Sequence, residues 1–134
     1  MEAAIINCED LYLELTQWKS ELDFWDQEIR SFQKQLELLV RNITNKKIRR
    51  SVSSFQNQFD LHHTSLKEFN DAMEAHNHDL ALYTWARVDS IDHTRYQKHI
   101  EMREQMMRQR ELYQELKKKY YAFLVQLISF DYES

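Results

Sequence analysis

At 134 residues, with no glycine, no proline and 30% of its positions charged, the chain excludes collagenous, Gly-rich and Pro-rich classes and disfavours β-folds built on tight turns. The missing glycines also remove every Gly-dependent phosphate cradle, the P-loop and the dinucleotide fingerprint alike. A formal net charge of -4 is too mild to dictate a partner.

That charge is unevenly spread. From Met1 to Leu36 there are eight acidic residues against three basic, whereas Leu38 to Phe59 holds five basic residues and no acidic one. A single cysteine, Cys8, cannot close an internal disulfide, which suits a reducing compartment. The apolar run Ala3 to Ile6 is too short for a signal peptide. No apolar stretch approaches the roughly 20 residues that cross a bilayer. One soluble, cytoplasmic domain over 1–134 is expected.

A first helix is predicted over 8–43, with Glu9 and Asp10 in its first turn favouring the helix dipole. Its apolar residues are Leu11, Leu15, Trp18, Leu22, Trp25, Ile29, Phe32, Leu36, Leu39 and Ile43. The steps alternate four and three, the a/d repeat of a supercoiled helix. Such a seam is not stable alone in water, so the rest of the chain must cover it. After Ile43 the repeat breaks, and Asn42-Ile43-Thr44-Asn45 is the predicted turn, an asparagine taking the left-handed position that ends a helix.

The second helix is predicted over 46–88, on the repeat Ile48, Val52, Phe55, Phe59, His62, Leu66, Phe69, Met73, His76, Leu80 and Tyr83. Histidines therefore occupy two seam positions. A second turn falls either at His76-Asn77-His78-Asp79 or at Asp89-Ser90-Ile91-Asp92. The later site is preferred because it gives three helices of similar length. Ser90, or Thr94 with Gln97, is then the expected cap.

The third helix is predicted over 92–128, with Arg95, His99, Met102, Met106, Gln109, Tyr113, Leu116, Tyr120, Phe123 and Leu127 on its seam and a frayed tail that includes Phe130 and Tyr132. Folding the seams at the two turns gives an all-α, up-down-up antiparallel three-helix bundle. Its layers put Trp18 with Met73 and Met106, Trp25 with Leu66 and Tyr113, Phe32 with Phe59 and Tyr120, and Leu36 with Phe55 and Phe123. All are apolar or aromatic, a consistency that supports the fold.

Two runs carry a family resemblance. Trp18, Glu21, Leu22, Phe24, Trp25, Glu28, Ile29 and Phe32 resemble the first helix of a group of small uncharacterised bacterial helical proteins, and His93, Tyr96, His99 and Arg103 the start of their last helix. The resemblance implies the same bundle and brings no activity with it.

Three groups of residues could carry chemistry. Cys8, His76 and His99 point into neighbouring layers at one end of the bundle, near Asp92 and Arg95, and are the candidate metal ligands. The Glu-x-x-His pairs of di-iron bundles are missing, and a hydrogen-bonded core histidine is the competing explanation. Lys46, Lys47, Arg49 and Arg50 form a basic turn, with Lys117, Lys118 and Lys119 towards the same end, and are the candidate anion or nucleic-acid patch. A solvated helix terminus competes with that. Finally, Ile100, Met107, Gln114, Tyr121 and Ile128, flanked by Tyr96 and Leu124, form an outward stripe seven residues apart, which suggests a homodimer. Other acids and bases fall on outward positions, as solubility requires, and a rod of three helices offers no obvious pocket. The expected function is a non-enzymatic scaffold or adaptor that needs no cofactor and binds protein, most simply itself. Metal binding and anion binding are the alternatives.

Overall fold

Three helices follow from these repeats: α1 spans Cys8–Val40, α2 Lys46–Trp85 and α3 His93–Glu133. The computed structural model describes residues 8–85 and 93–133. Among them there is no strand, and the architecture is the all-α three-helix bundle. Contact numbering gives the directions. Lys19 pairs with Glu74 and Gln33 with Asp60, so α1 and α2 run antiparallel. Glu14 pairs with Arg103 and Glu28 with Lys117, so α1 and α3 run parallel, up-down-up.

The seams meet as aromatic layers. Trp25 lies 5.4 Å from Tyr113 between ring centroids. Phe32 lies 5.7 Å from Phe59 and 4.9 Å from Tyr120, and Phe55 lies 5.1 Å from Phe123. Such offset and edge contacts suit aromatic quadrupoles and add to the area they bury. Trp18 departs from the simple layering. Met73 and Met106 are buried as expected, but the indole stacks on His99 at 5.2 Å and 22°.

The first turn combines two backbone bonds, from the amides of Asn42 to Leu39 and of Ile43 to Val40 (3.3 Å each), with side-chain bonds. Asn45 accepts hydrogen bonds through Oδ1 from the amides of Lys47 (2.9 Å) and Ile48 (3.1 Å), so it caps the start of α2 and does not end α1. Arg49 reaches back and donates to the carbonyls of Val40 (3.0 Å) and Ile43 (2.7 Å), a second donor for Val40 beside the Ile43 amide. As a result α1 stops at Val40, short of the predicted Ile43.

His76-Asn77-His78-Asp79 is helical, which rules out the earlier of the two second turns. The seam simply continues through it, with His76 and Leu80 both buried. The alternative, 89–92, lies outside the described residues, as do Ser90 and the predicted end of α2 at 88. Thr94 is already inside α3, so it is not the cap. At the far end α3 runs on through Glu133, past the predicted 128. No Gly, Pro or Asn follows Ile128 to stop it.

Trp25 is 6% exposed and packs in the middle of the core. Trp25→Ala is expected to cost roughly 3–5 kcal/mol, against at most about 0.5 kcal/mol for Lys34→Ala on the solvent face, as read from urea midpoints.

Candidate functional site

Parallel packing of α1 on α3 brings one flank of each seam together, the g positions of α1 and the e positions of α3. Their residues recur every seven and match in charge. Glu14 takes Arg103 (2.8 Å), Glu21 takes Arg110 (2.8 Å on each oxygen) and Glu28 takes Lys117 (2.8 Å). A second donor comes from the α3 seam itself: His99 to Glu14 (2.6 Å), Tyr113 to Glu28 (2.9 Å) and Tyr120 to Gln35 (2.7 Å). Burial, then the bond to Glu28, lifts the Tyr113 phenol far above its ordinary value, so its proton stays in place as donor. Burial pushes Tyr120 up to about 12. These acids are therefore structural partners and not the outward, solvated groups the sequence suggests. The spacing of Glu14, Glu21 and Glu28 against Arg103, Arg110 and Lys117 was the signal for them.

At one end the ladder enters the core. His99 Nε2 contacts Glu14 Oε1 at 2.6 Å, and His99 Nδ1 contacts His76 Nε2 at 3.1 Å. Burial works against the Glu14 carboxylate, but the bonds from Arg103 and His99 outweigh it and hold the carboxyl below its ordinary value. An ionised carboxylate only accepts, so His99 donates from Nε2 and His76 in turn donates from Nε2 to His99 Nδ1. Burial keeps both imidazoles neutral in this arrangement. Burial holds His99 below its ordinary value, and burial with the neighbouring His99 lowers His76 to about 4. His76 Nδ1 is left as an acceptor with no hydrogen-bond partner among the described residues. The stacked Trp18 ring fixes the plane of His99. His76 and His99 are 1% and 0% exposed, so a solute has no approach to either ring.

Of the predicted metal ligands, all three are buried, and His76 and His99 are brought together. Their geometry is that of hydrogen-bonded neighbours, with both nitrogens of His99 occupied. Among the described residues no three His, Cys, Asp or Glu side chains converge as a metal site would require. Arg95 contacts Asp79 at 2.5 Å, and Asp92 lies outside the described residues.

The basic turn is partly spent on architecture. Arg49 holds the end of α1, while Lys46, Lys47 and Arg50 are exposed. Lys117 does not join them. It binds Glu28, twelve residues before Val40, which places it roughly 18 Å away along the rod.

The outer groove between α1 and α3 is different. Its α1 rim reads Gln17, Phe24, Ser31 and Leu38, and its α3 rim reads Ile100, Met107, Gln114, Tyr121 and Ile128. None of these nine positions is charged, although Asp10, one heptad before Gln17 on the α1 rim, is. The α1/α2 groove has Asp23, Arg30, Glu37, Asp60, Lys67 and Glu74 in the equivalent places. Phe24 is 56% exposed, Leu38 52%, Met107 53%, Tyr121 45% and Ile128 69%, while Ile100 is half-buried. Rotation of α3 into its own core therefore does not account for the stripe. Near the turn the groove opens into a hollow of ≈ 870 Å³, lined by Leu38, Leu39, Ile43, Ile48, Leu127 and Ile128, where the sequence suggested none. The sequence marked the α3 rim but missed Phe24 and Leu38, which become part of one face only when α1 and α3 pack in parallel.

Comparison with known proteins is silent: no family model, curated protein or solved structure matches the chain.

The polar core carries an acid-stability signature. Burial holds His62, His76 and His99 below their ordinary values. The unfolded chain takes up these protons near pH 6.5 and the fold does not, so stability is complete above that pH. It is lost as pH falls towards the folded values. For His76, lowered to about 4, the loss is on the order of 3 kcal/mol. His62 stacks on Tyr113 at 5.3 Å, and its Nε2 has no hydrogen-bond partner among the described residues. His62→Leu is expected to shrink the drop in urea midpoint between neutral pH and pH about 4.5. An unchanged drop would show that His62 titrates normally.

Proposed function

We propose that this chain is a non-enzymatic interaction bundle that offers the α1/α3 groove to an apolar helix. The uncharged rim carries the reading. In a chain with 30% charged residues, nine successive rim positions on two helices lack charge, and five of them are large apolar side chains at least 45% exposed. Exposed apolar surface arranged as one stripe marks association sites. Residues seven apart on parallel helices form a straight trough that matches a helix laid into it. The floor supports the same reading, since each carboxylate of the ladder is already neutralised within the chain. A partner therefore meets apolar surface with no uncompensated charge to bury.

Among the described residues no helix is long and apolar enough to cross a membrane. The lone cysteine fits a cytoplasmic scaffold or adaptor, the setting this reading implies.

The test is capture from the native host by immobilised protein, wild type against Phe24→Glu, Met107→Glu. The variant is expected to keep its helical circular dichroism and lose the captured proteins, copies of itself included. Equal capture by both would refute a role for this face.

A further inference from the structure

We infer that the helix seated in the α1/α3 groove is α3 of a second copy, running antiparallel to the first and centred on Gln114. This rests on the reading of the groove as an interaction face and names its occupant. The occupant must be a helix with an exposed apolar stripe of matching period, and this chain carries one on α3. The stripe is also symmetric about its middle. Met107 and Tyr121 each stand seven residues from Gln114, and Ile100 and Ile128 fourteen. A two-fold axis through Gln114 therefore sets Met107 on Tyr121 and Ile100 on Ile128, each pair twice, as an isologous contact requires.

Charge decides the direction. Beside the stripe, Glu111 lies three residues before Gln114 and Lys118 four residues after it. Both are exposed, and neither has an ion-pair partner among the described residues. Antiparallel pairing brings Glu111 of each copy beside Lys118 of the other. Parallel pairing would carry this flank to opposite sides of the two-fold axis, so Glu111 and Lys118 of one copy would not meet those of the other.

The first helix completes the interface. Along the ladder an α1 residue lies level with the α3 residues 85 to 89 positions later. Phe24 is therefore level with the residues just before Gln114, so the two copies' phenylalanines flank the axis and cover its centre. Leu38 is level with residues 123–127 and lines the hollow of ≈ 870 Å³ together with Ile128, and that is where Ile100 of the second copy arrives. This hollow thus lies at the position the symmetry fills with an isoleucine.

Sedimentation equilibrium of the full chain at micromolar concentration is expected to give the mass of two chains. Met107→Glu should reduce it to one with helical content unchanged. Glu111→Lys alone and Lys118→Glu alone should each weaken the dimer about tenfold, because each puts like charges together at two symmetric places. The double exchange Glu111→Lys, Lys118→Glu should restore wild-type affinity, and, being confined to exposed charges, it does not depend on the tolerance of the Met107 site. A one-chain mass for the wild type overturns the proposal, as does a dimer that survives Met107→Glu or that the double exchange fails to restore. A monomer whose groove still captures another protein, lost on charging Phe24 and Met107, would refute self-pairing and leave the interaction reading standing. A monomer that captures nothing through that face would refute both.

Discussion

A carboxylate every seventh residue along α1 holds the bundle in register. Apolar seams tolerate sliding by a whole heptad, since one Leu or Phe layer resembles the next. Glu14, Glu21 and Glu28 each find a cation on α3, and Glu14 and Glu28 also find a seam donor, His99 or Tyr113. Those donors differ: an imidazole at one level, no polar seam group at Met106, a phenol at the next. A one-heptad slip keeps two of the three pairs but either strands Glu14 and sets Lys117 on Gln35, or strands Glu28 against Leu124. The individual pairs are half-exposed and each contributes little to stability. Their value lies in rejecting the wrong alignment.

The end of the ladder at Glu14 shows what it costs to bring polar groups into such a core. Two imidazoles are fully buried, and they are tolerated because the Glu14 carboxylate and Arg103 organise a directed chain of hydrogen bonds through them. Breaking one link would strand a buried donor, which is costlier than leaving His76 Nδ1 as an unmatched acceptor. His62 has no such chain and relies on stacking against Tyr113. The core is thereby tied to the neutral state of its histidines, so acid acts on the centre of the fold and not only on its surface.

The absence of glycine shapes the ends as strongly as the seams shape the middle. With no glycine at hand, Asn45 and Arg49 reinforce the first turn through side-chain bonds. That commits part of the basic segment to architecture and reduces what remains for an anion. The uncharged α1/α3 rims have no comparable internal use. They form a long face, among the described residues, whose composition the fold itself does not explain.

How much of this was legible in the sequence follows from periodicity. The three seams, the first turn near 42–45 and the aromatic layers of Trp25, Phe32 and Phe55 are encoded in steps of three and four, because a helix converts spacing directly into direction. The buried histidines were legible for the same reason. Periodicity says which residues share a side of one helix, but not which helix that side meets. Parallel contact between α1 and α3 made Glu14 the partner of His99 and Arg103, turned Phe24 and Leu38 into the second rim of the α3 stripe, and separated Lys117 from the basic turn. The choice between 76–79 and a later second turn also depended on packing, since Asn, His and Asp favour a turn locally while burial of His76 and Leu80 keeps the helix going. Spacing along the chain sets each helix and its buried side; which flanks meet is a property of the packed bundle, because it depends on the relative rotation and level of helices far apart in the chain.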